Sequence, residues 1–191
     1  MAKTKPGNKK SKKEKKSSNP SKATMSSPAE LLAEAAFELQ KGNIEGSVKP
    51  AMKALRSLDR ESQEALLALN LLGEIHVELG DIDSARQYFL QAAAIDEDGS
   101  VPEELGGGAE KFLWLAQLSE EGGQDSVDWF EKGAMSLRLQ IQALLDSGKL
   151  TEEGEAAKAE KTRKLAVALC GVVEVYMTDL SWEDDAEQKC E

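Results

Sequence analysis

The sequence predicts an all-α chain of stacked helical hairpins, about four of them with the last incomplete, behind a disordered lysine-rich tail. Three observations carry this. Apolar residues recur at helical spacing along most of residues 27–191. Glycine turns punctuate them at regular intervals. Gly42 and Gly80 lie 38 positions apart, and the pairs Leu72-Gly73 and Leu115-Ala116 lie 43 apart, periods that belong to stacked helix pairs. No alternating apolar–polar run is long enough to read as a strand.

The tail comes first. Residues 1–26 are Lys, Ser, Asn, Pro and Gly with few apolar side chains, a composition that cannot offset its own ordering entropy. Residues 1–22 hold nine lysines and one acid, a balance of +8, so the net charge of −11 conceals a body of −19. The cluster Lys9, Lys10, Lys12, Lys13, Lys15 and Lys16 reads as a nuclear-import candidate. The alternatives are a solubilising terminus or a tail folded back onto the acidic body. A body of that sign repels nucleic-acid phosphates and attracts basic partners.

The helical domain, residues 27–191, opens at Ser27-Pro28-Ala29-Glu30, with Ser at the N-cap, Pro at the first helical position and Glu two later, a capping box. Leu31, Leu32, Ala35, Ala36 and Leu39 follow at helical spacing, and Gly42-Asn43 ends the helix. A partner helix carries Val48, Met52, Leu55 and Leu58. The second pair has Ala65, Leu66, Leu69, Leu72, Ile75 and Leu79, a Gly80-Asp81 turn, then Ala85, Phe89, Ala92 and Ile95. A polar, glycine-rich connection spans 96–108, and Gly106-Gly107-Gly108 reads as a linker because no Lys-Ser/Thr of a phosphate loop follows it.

A third pair runs from Ala109 to Leu118, turns at Gly122-Gly123 and continues from Ser126 to about Ser147. Thr151-Glu152-Glu153 opens a long helix with acids where the helix dipole favours them; its apolar face is Leu165, Leu169, Val172, Val173 and Tyr176. The helix after it has only Ala186 to Glu191, too short to cover its partner, and no polar capping helix follows, although a solenoid needs one. A longer solenoid is therefore expected, the alternative being an end that pairs with another molecule.

Composition narrows the function. No run approaches the roughly 20 apolar residues of a membrane span, and no apolar segment follows the lysine-rich start as a secretory signal would require. Two cysteines, Cys170 and Cys190, and one histidine, His76, supply neither a disulfide framework nor a histidine-rich metal site. There is no paired nucleophile and base. The reading is a binding protein that needs no cofactor or metal and is not an enzyme.

The second pair resembles the tetratricopeptide repeat. Leu69-x2-Leu72-Gly73-x2-His76, then Gly80-Asp81, Ala85-x3-Phe89 and Ala92, follow the W-x2-L-G-x2-Y and A-x3-F pattern of that repeat of about 34 residues. Leu69 and His76 stand in place of two aromatics and Glu97 in place of the closing proline. Such repeats coil into a superhelix with a concave binding face. The resemblance implies that first-helix residues line it: Asn70, Glu74, Val77 and Glu78 from the second pair; Glu110, Leu113, Gln117, Glu120 and Glu121 from the third, with Trp114 beside them; and Glu174, Met177 and Thr178 from the fourth. Carboxylates mixed with apolar side chains suit a Lys- and Arg-rich polypeptide. The plainer alternatives are that the glutamates are solvated, that Trp114 and Trp129 pack between repeats, that His76 fills the aromatic slot, and that both cysteines are inert, with Cys190 the more exposed.

A more specific resemblance lies in Phe112-Leu113-Trp114-Leu115-Ala116-Gln117-Leu118-Ser119-Glu120-Glu121-Gly122-Gly123, in Asp125-Ser126-Val127-Asp128-Trp129-Phe130-Glu131-Lys132-Gly133-Ala134, and in Val173-Glu174-Val175-Tyr176-Met177-Thr178-Asp179-Leu180-Ser181 with Asp185-Ala186-Glu187-Gln188-Lys189-Cys190-Glu191. With the lysine-rich start, these resemble the fungal family of dedicated assembly chaperones of large-subunit ribosomal protein four. The resemblance implies capture of that newly made basic protein, shielding of its extended rRNA-binding loop, and escort from cytoplasm to nucleus for 60S assembly. Direct nucleic-acid or membrane binding is not expected; an import receptor is a possible second partner. Two other readings remain: a generic scaffold for another basic protein, such as a histone, and a co-chaperone for an acidic chaperone tail. The latter would want Lys, Arg and Asn where Leu32, Ala36, Asn70 and Glu74 stand.

Overall fold

The computed structural model describes Met1 and residues 26–146 and 151–190. Among these it is all helix: α1 (Pro28–Gln40), α2 (Ile44–Arg56), α3 (Leu66–Glu78), α4 (Ile82–Ile95), α5 (Glu110–Gln117), α6 (Gly123–Asp146), α7 (Glu152–Met177) and α8 (Ala186–Lys189). Consecutive helices pack pairwise in chain order, so the body is a stack of hairpins of tetratricopeptide type. The lysine cluster Lys9, Lys10, Lys12, Lys13, Lys15 and Lys16 and the rest of residues 2–25 lie outside the described residues.

Local chemistry sets each start. Ser27 Oγ accepts from Glu30 N at 3.2 Å while Glu30 Oε2 accepts from Ser27 N at 2.8 Å, the expected reciprocal cap. Asn43, Asp81 and Thr151 cap α2, α4 and α7, their side-chain oxygens accepting from Gly46, Ser84 and Gly154 N. Gly42 and Gly80 adopt φ of +78° and +73°, the left-handed conformation that ends α1 and α3 and favours glycine.

The core is continuous. Leu55, Leu66, Leu69 and Leu72 join the first two pairs. Phe89, Phe112 and Leu115 join α4 to α5. Phe130, Leu137, Val172 and Tyr176 join the last two pairs. Trp114 stacks on Phe89 at 5.9 Å and Trp129 on Phe112 at 6.2 Å, so both indoles pack between helices. His76 sits against Tyr88 at 5.3 Å and bonds Asp81 at 3.2 Å.

Several details differ from the sequence reading. Pro50 lies inside α2 and is buried, a position the apolar stripe does not signal. On α7 the buried stripe is Ala168, Val172 and Tyr176, and Leu169 is exposed. The cysteines exchange their expected places: Cys170 is exposed, and Cys190 is half-buried against the last core cluster.

The connection 96–108 is not a loose linker. Asp96 is buried and accepts from Val101 N at 3.0 Å, Gly108 N at 3.1 Å and Lys111 Nζ at 2.6 Å. Lys111 Nζ also donates to Gly108 O at 2.6 Å. Both side chains are 1% exposed. Gly107 sits against the Val101 carbonyl, where a Cβ would have no room. A buried ion pair therefore pins the loop to the start of α5, and Gly106–Gly108 are buried.

Candidate functional site

The first helices of the pairs, α1, α3 and α5, together with the N-terminal half of α7, surround three adjoining hollows of about 550, 430 and 200 Å³. The largest is walled by Leu32 and Ala36 of α1, Asn70 and Glu74 of α3, Glu103 and Gly106 of the pinned loop, Glu110 of α5 and Lys164 of α7. The second adds Val77, Glu78 and Trp114, and the third adds Leu113, Gln117, Arg163 and Val167. Glu110 lines all three, so they form one continuous inner face.

Helical periodicity explains the placement. Asn70, Glu74, Val77 and Glu78 recur at steps of three and four, which puts them on one face of α3, opposite the stripe Leu69, Leu72 and Ile75 that is fully buried. Asn70 Nδ2 donates to Gly106 O at 2.6 Å and ties α3 to the loop. Its Oδ1 is buried and accepts nothing from the described residues. Leu67, one turn before, exposes 44% of its surface, so apolar and acidic side chains alternate as expected.

Electrostatically the face is acidic but partly self-neutralised. Lys164 of α7 bonds Glu110 at 2.9 Å and lies 3.6 Å from Glu160. Lys161 bonds Glu103 at 2.7 Å and Gln140 Oε1 at 2.7 Å. Burial acts to lower the Lys164 ammonium, but its bond to Glu110 and the charges of Glu110, Glu160 and Glu103 outweigh burial and raise it above its ordinary value. Glu74 and Glu78 make no ion pair among the described residues. Burial, then the like charge of Glu110, pushes the Glu74 carboxyl up, with Lys164 opposing. A carboxylate so placed gains from any cation brought beside it.

The sequence-derived residues divide accordingly. Asn70, Glu74, Val77, Glu78, Glu110, Trp114 and Gln117 are gathered on the inner face. Leu113 reaches its edge but is 9% exposed and belongs to the core, against Gly133. Glu120 and Glu121 are not on it. They follow the end of α5, in an exposed turn closed by Ser119 Oγ, which donates to Asp125 at 2.5 Å and accepts from Gly122 N at 3.1 Å. Glu174, Met177 and Thr178 are exposed near the far end of α7 and line none of the three hollows.

Sequence reasoning missed Lys161, Arg163 and Lys164. The long α7 swings its N-terminal half across the inner face, and only the run of basic residues at 158–164 hinted at it. It also missed Glu103, which arrives there on the pinned loop.

No known family profile matches the chain. Against individual proteins it is 42% identical over 165 residues, 86% of the chain, to the "Probable assembly chaperone of rpl4" of Emericella nidulans. It is 32% identical over 138 residues, 72% of the chain, to the protein of the same name in Schizosaccharomyces pombe. The chain spans 38% and 36% of those two relatives' lengths. A solved structure of an assembly chaperone of RpL4 superposes with a TM-score of 0.80 at 60% identity, covering 86% of this chain and 60% of that one.

Proposed function

On the premise that the chain is homologous to the assembly chaperones of rpl4, we propose that it is a non-enzymatic chaperone for the same newly made large-subunit ribosomal protein. Its inner face shields a basic rRNA-binding loop, and the loaded chaperone travels from cytoplasm to nucleus for 60S assembly. The observation that carries the reading is the pair Glu74 and Glu78, set among apolar residues on the inner face of α3 with no ion pair among the described residues.

A ribosomal-protein loop without its RNA holds many uncompensated cations. An acidic face competes for them with phosphate, and rRNA with its denser charge can later displace the chaperone. Apolar neighbours such as Leu32, Leu67 and Val77 give the client's aliphatic stems somewhere to lie. The lysine cluster at 9–16 suits an import receptor, in keeping with a protein that works in both compartments.

Co-expression with ribosomal protein four tests the reading. The expected result is a salt-sensitive complex that is lost when Glu74→Lys and Glu78→Lys are combined. A complex unaffected by that double charge reversal places the client elsewhere. Recovery of histones or other basic proteins in place of the ribosomal protein makes the chain a general scaffold.

A further inference from the structure

We propose that the chain's own lysine-rich tail occupies the acidic inner face when no client is bound, so that a client must displace it. This rests on the reading of that face as a seat for cationic polypeptide, and goes beyond it by naming an internal competitor.

Charge is the first argument. Residues 1–22 carry +8 and the rest of the chain −19, and the inner face holds Glu74, Glu78, Glu103 and Glu110. Lys161 pairs with Glu103, and Lys164 with Glu110 and Glu160. Glu74 and Glu78 make no ion pair among the described residues, and the upward shift of the Glu74 carboxyl, caused by burial and then the charge of Glu110 against the opposing pull of Lys164, agrees with that.

The point of attachment is the second argument. The tail enters the body at Ser27, where the reciprocal cap with Glu30 fixes the start of α1. Leu32 and Ala36, one and two turns further on, wall the largest hollow across from Glu74 and Glu110. At about 1.5 Å per helical residue, Leu32 lies about 6 Å along α1 from Pro28. Lys22, five residues before Ser27, is within about 17 Å of chain length. The lysines are thus held near the hollow at an effective concentration on the order of millimolar.

The third argument is the tail's composition. It offers charge with almost no apolar anchor, so its hold is shallow and salt-sensitive. A client with both cations and apolar side chains can displace it. By linkage, client binding and tail docking oppose one another to the same degree.

The test uses the full chain and a variant carrying Lys9→Gln, Lys10→Gln, Lys12→Gln, Lys13→Gln, Lys15→Gln and Lys16→Gln. A fluorescein-labelled decalysine peptide serves as probe in anisotropy titrations at low salt. The variant is expected to bind the probe about three- to tenfold more tightly. Because a loss of positive charge alone also favours the probe, the NMR signal of the Trp114 indole reports contact directly. It should differ between parent and variant, while that of Trp182, exposed beyond α7, should not. Equal probe affinity, or an unmoved Trp114 signal, overturns the proposal and leaves the acidic face intact as a binding site. A Trp114 difference that grows with protein concentration assigns the seat to a second copy's tail and also overturns it. Failure of the probe to bind either protein removes the reading of the face itself.

Discussion

Asp96 and Lys111 are separated by 15 residues and are each almost wholly buried. Burial holds the Lys111 ammonium below its ordinary value, while its hydrogen bond to Asp96 and the charge of Asp96 oppose that shift. The pair is stable only together: removing one partner leaves a buried charge without compensation. Lys111→Met should therefore cost about 3–5 kcal/mol in chemical denaturation, and adding Asp96→Asn should recover part of it. A single variant as stable as the parent would mean that the loop is not pinned by this pair.

Glu74 makes the opposite prediction. Its folded ionisation lies above the ordinary carboxylate value of 4.5, so the folded state holds its proton more tightly than the unfolded chain does. The contribution favouring the fold is present below the unfolded value and is lost as pH rises through the raised folded one. Glu74→Gln should then raise the Tm at pH 7 by about 2 °C, with the difference fading below about pH 4. An equal or lower Tm at pH 7 would show that Glu74 is not strained by its surroundings.

Among the helices, one packing device recurs. Gly73 on α3 faces the Phe89 ring, Gly133 on α6 faces Leu113, and Gly171 on α7 faces Phe130, in each case where a Cβ would stand 2.5–2.6 Å from the opposing side chain. Small residues at these crossings let the helices close on bulky partners, as the repeat pattern implied for Gly73. Gly73→Ala gains about 0.5–1 kcal/mol of helix propensity but must push Phe89 away, and overpacking of that kind costs about 1–3 kcal/mol. A net loss of about 1–2 kcal/mol is expected, and a more stable variant would show the ring free to move. This scale was the most legible in the sequence. Ser27, Gly42, Asn43, Gly80, Asp81 and Thr151 mark helix ends by chemistry within four residues of themselves. Where the sequence misled, the deciding contact was remote. The order of 96–108 depends on Lys111 meeting Asp96. Three of the anticipated groove residues, Glu174, Met177 and Thr178, were displaced because a regular repeat register does not foresee a helix as long as α7.

Across the whole molecule, α7 modifies what the first helices build. From the first three pairs alone, the inner face would present Glu74, Glu78, Glu103 and Glu110 to a cationic polypeptide. Lys164, 54 residues from Glu110, and Lys161, 58 from Glu103, withdraw two of these. Both lysines are only partly buried, at 34% and 15% exposed, so a competing cation can replace them without leaving an ammonium stranded in the core. Under the proposed function the internal pairs would act as a brake: an arriving Lys or Arg would exchange with a resident lysine, which would lower affinity. Lys161→Gln with Lys164→Gln should release Glu103 and Glu110. A decalysine probe should bind the double variant about three- to tenfold more tightly, and the dependence of its affinity on salt should steepen, because more phosphate-like acceptors are open to it. Circular dichroism should show the helices retained, since neither lysine anchors the apolar contacts of α7. Affinity that stays the same or falls would mean that the probe does not use Glu103 and Glu110, and would confine the binding face to Glu74 and Glu78 on α3.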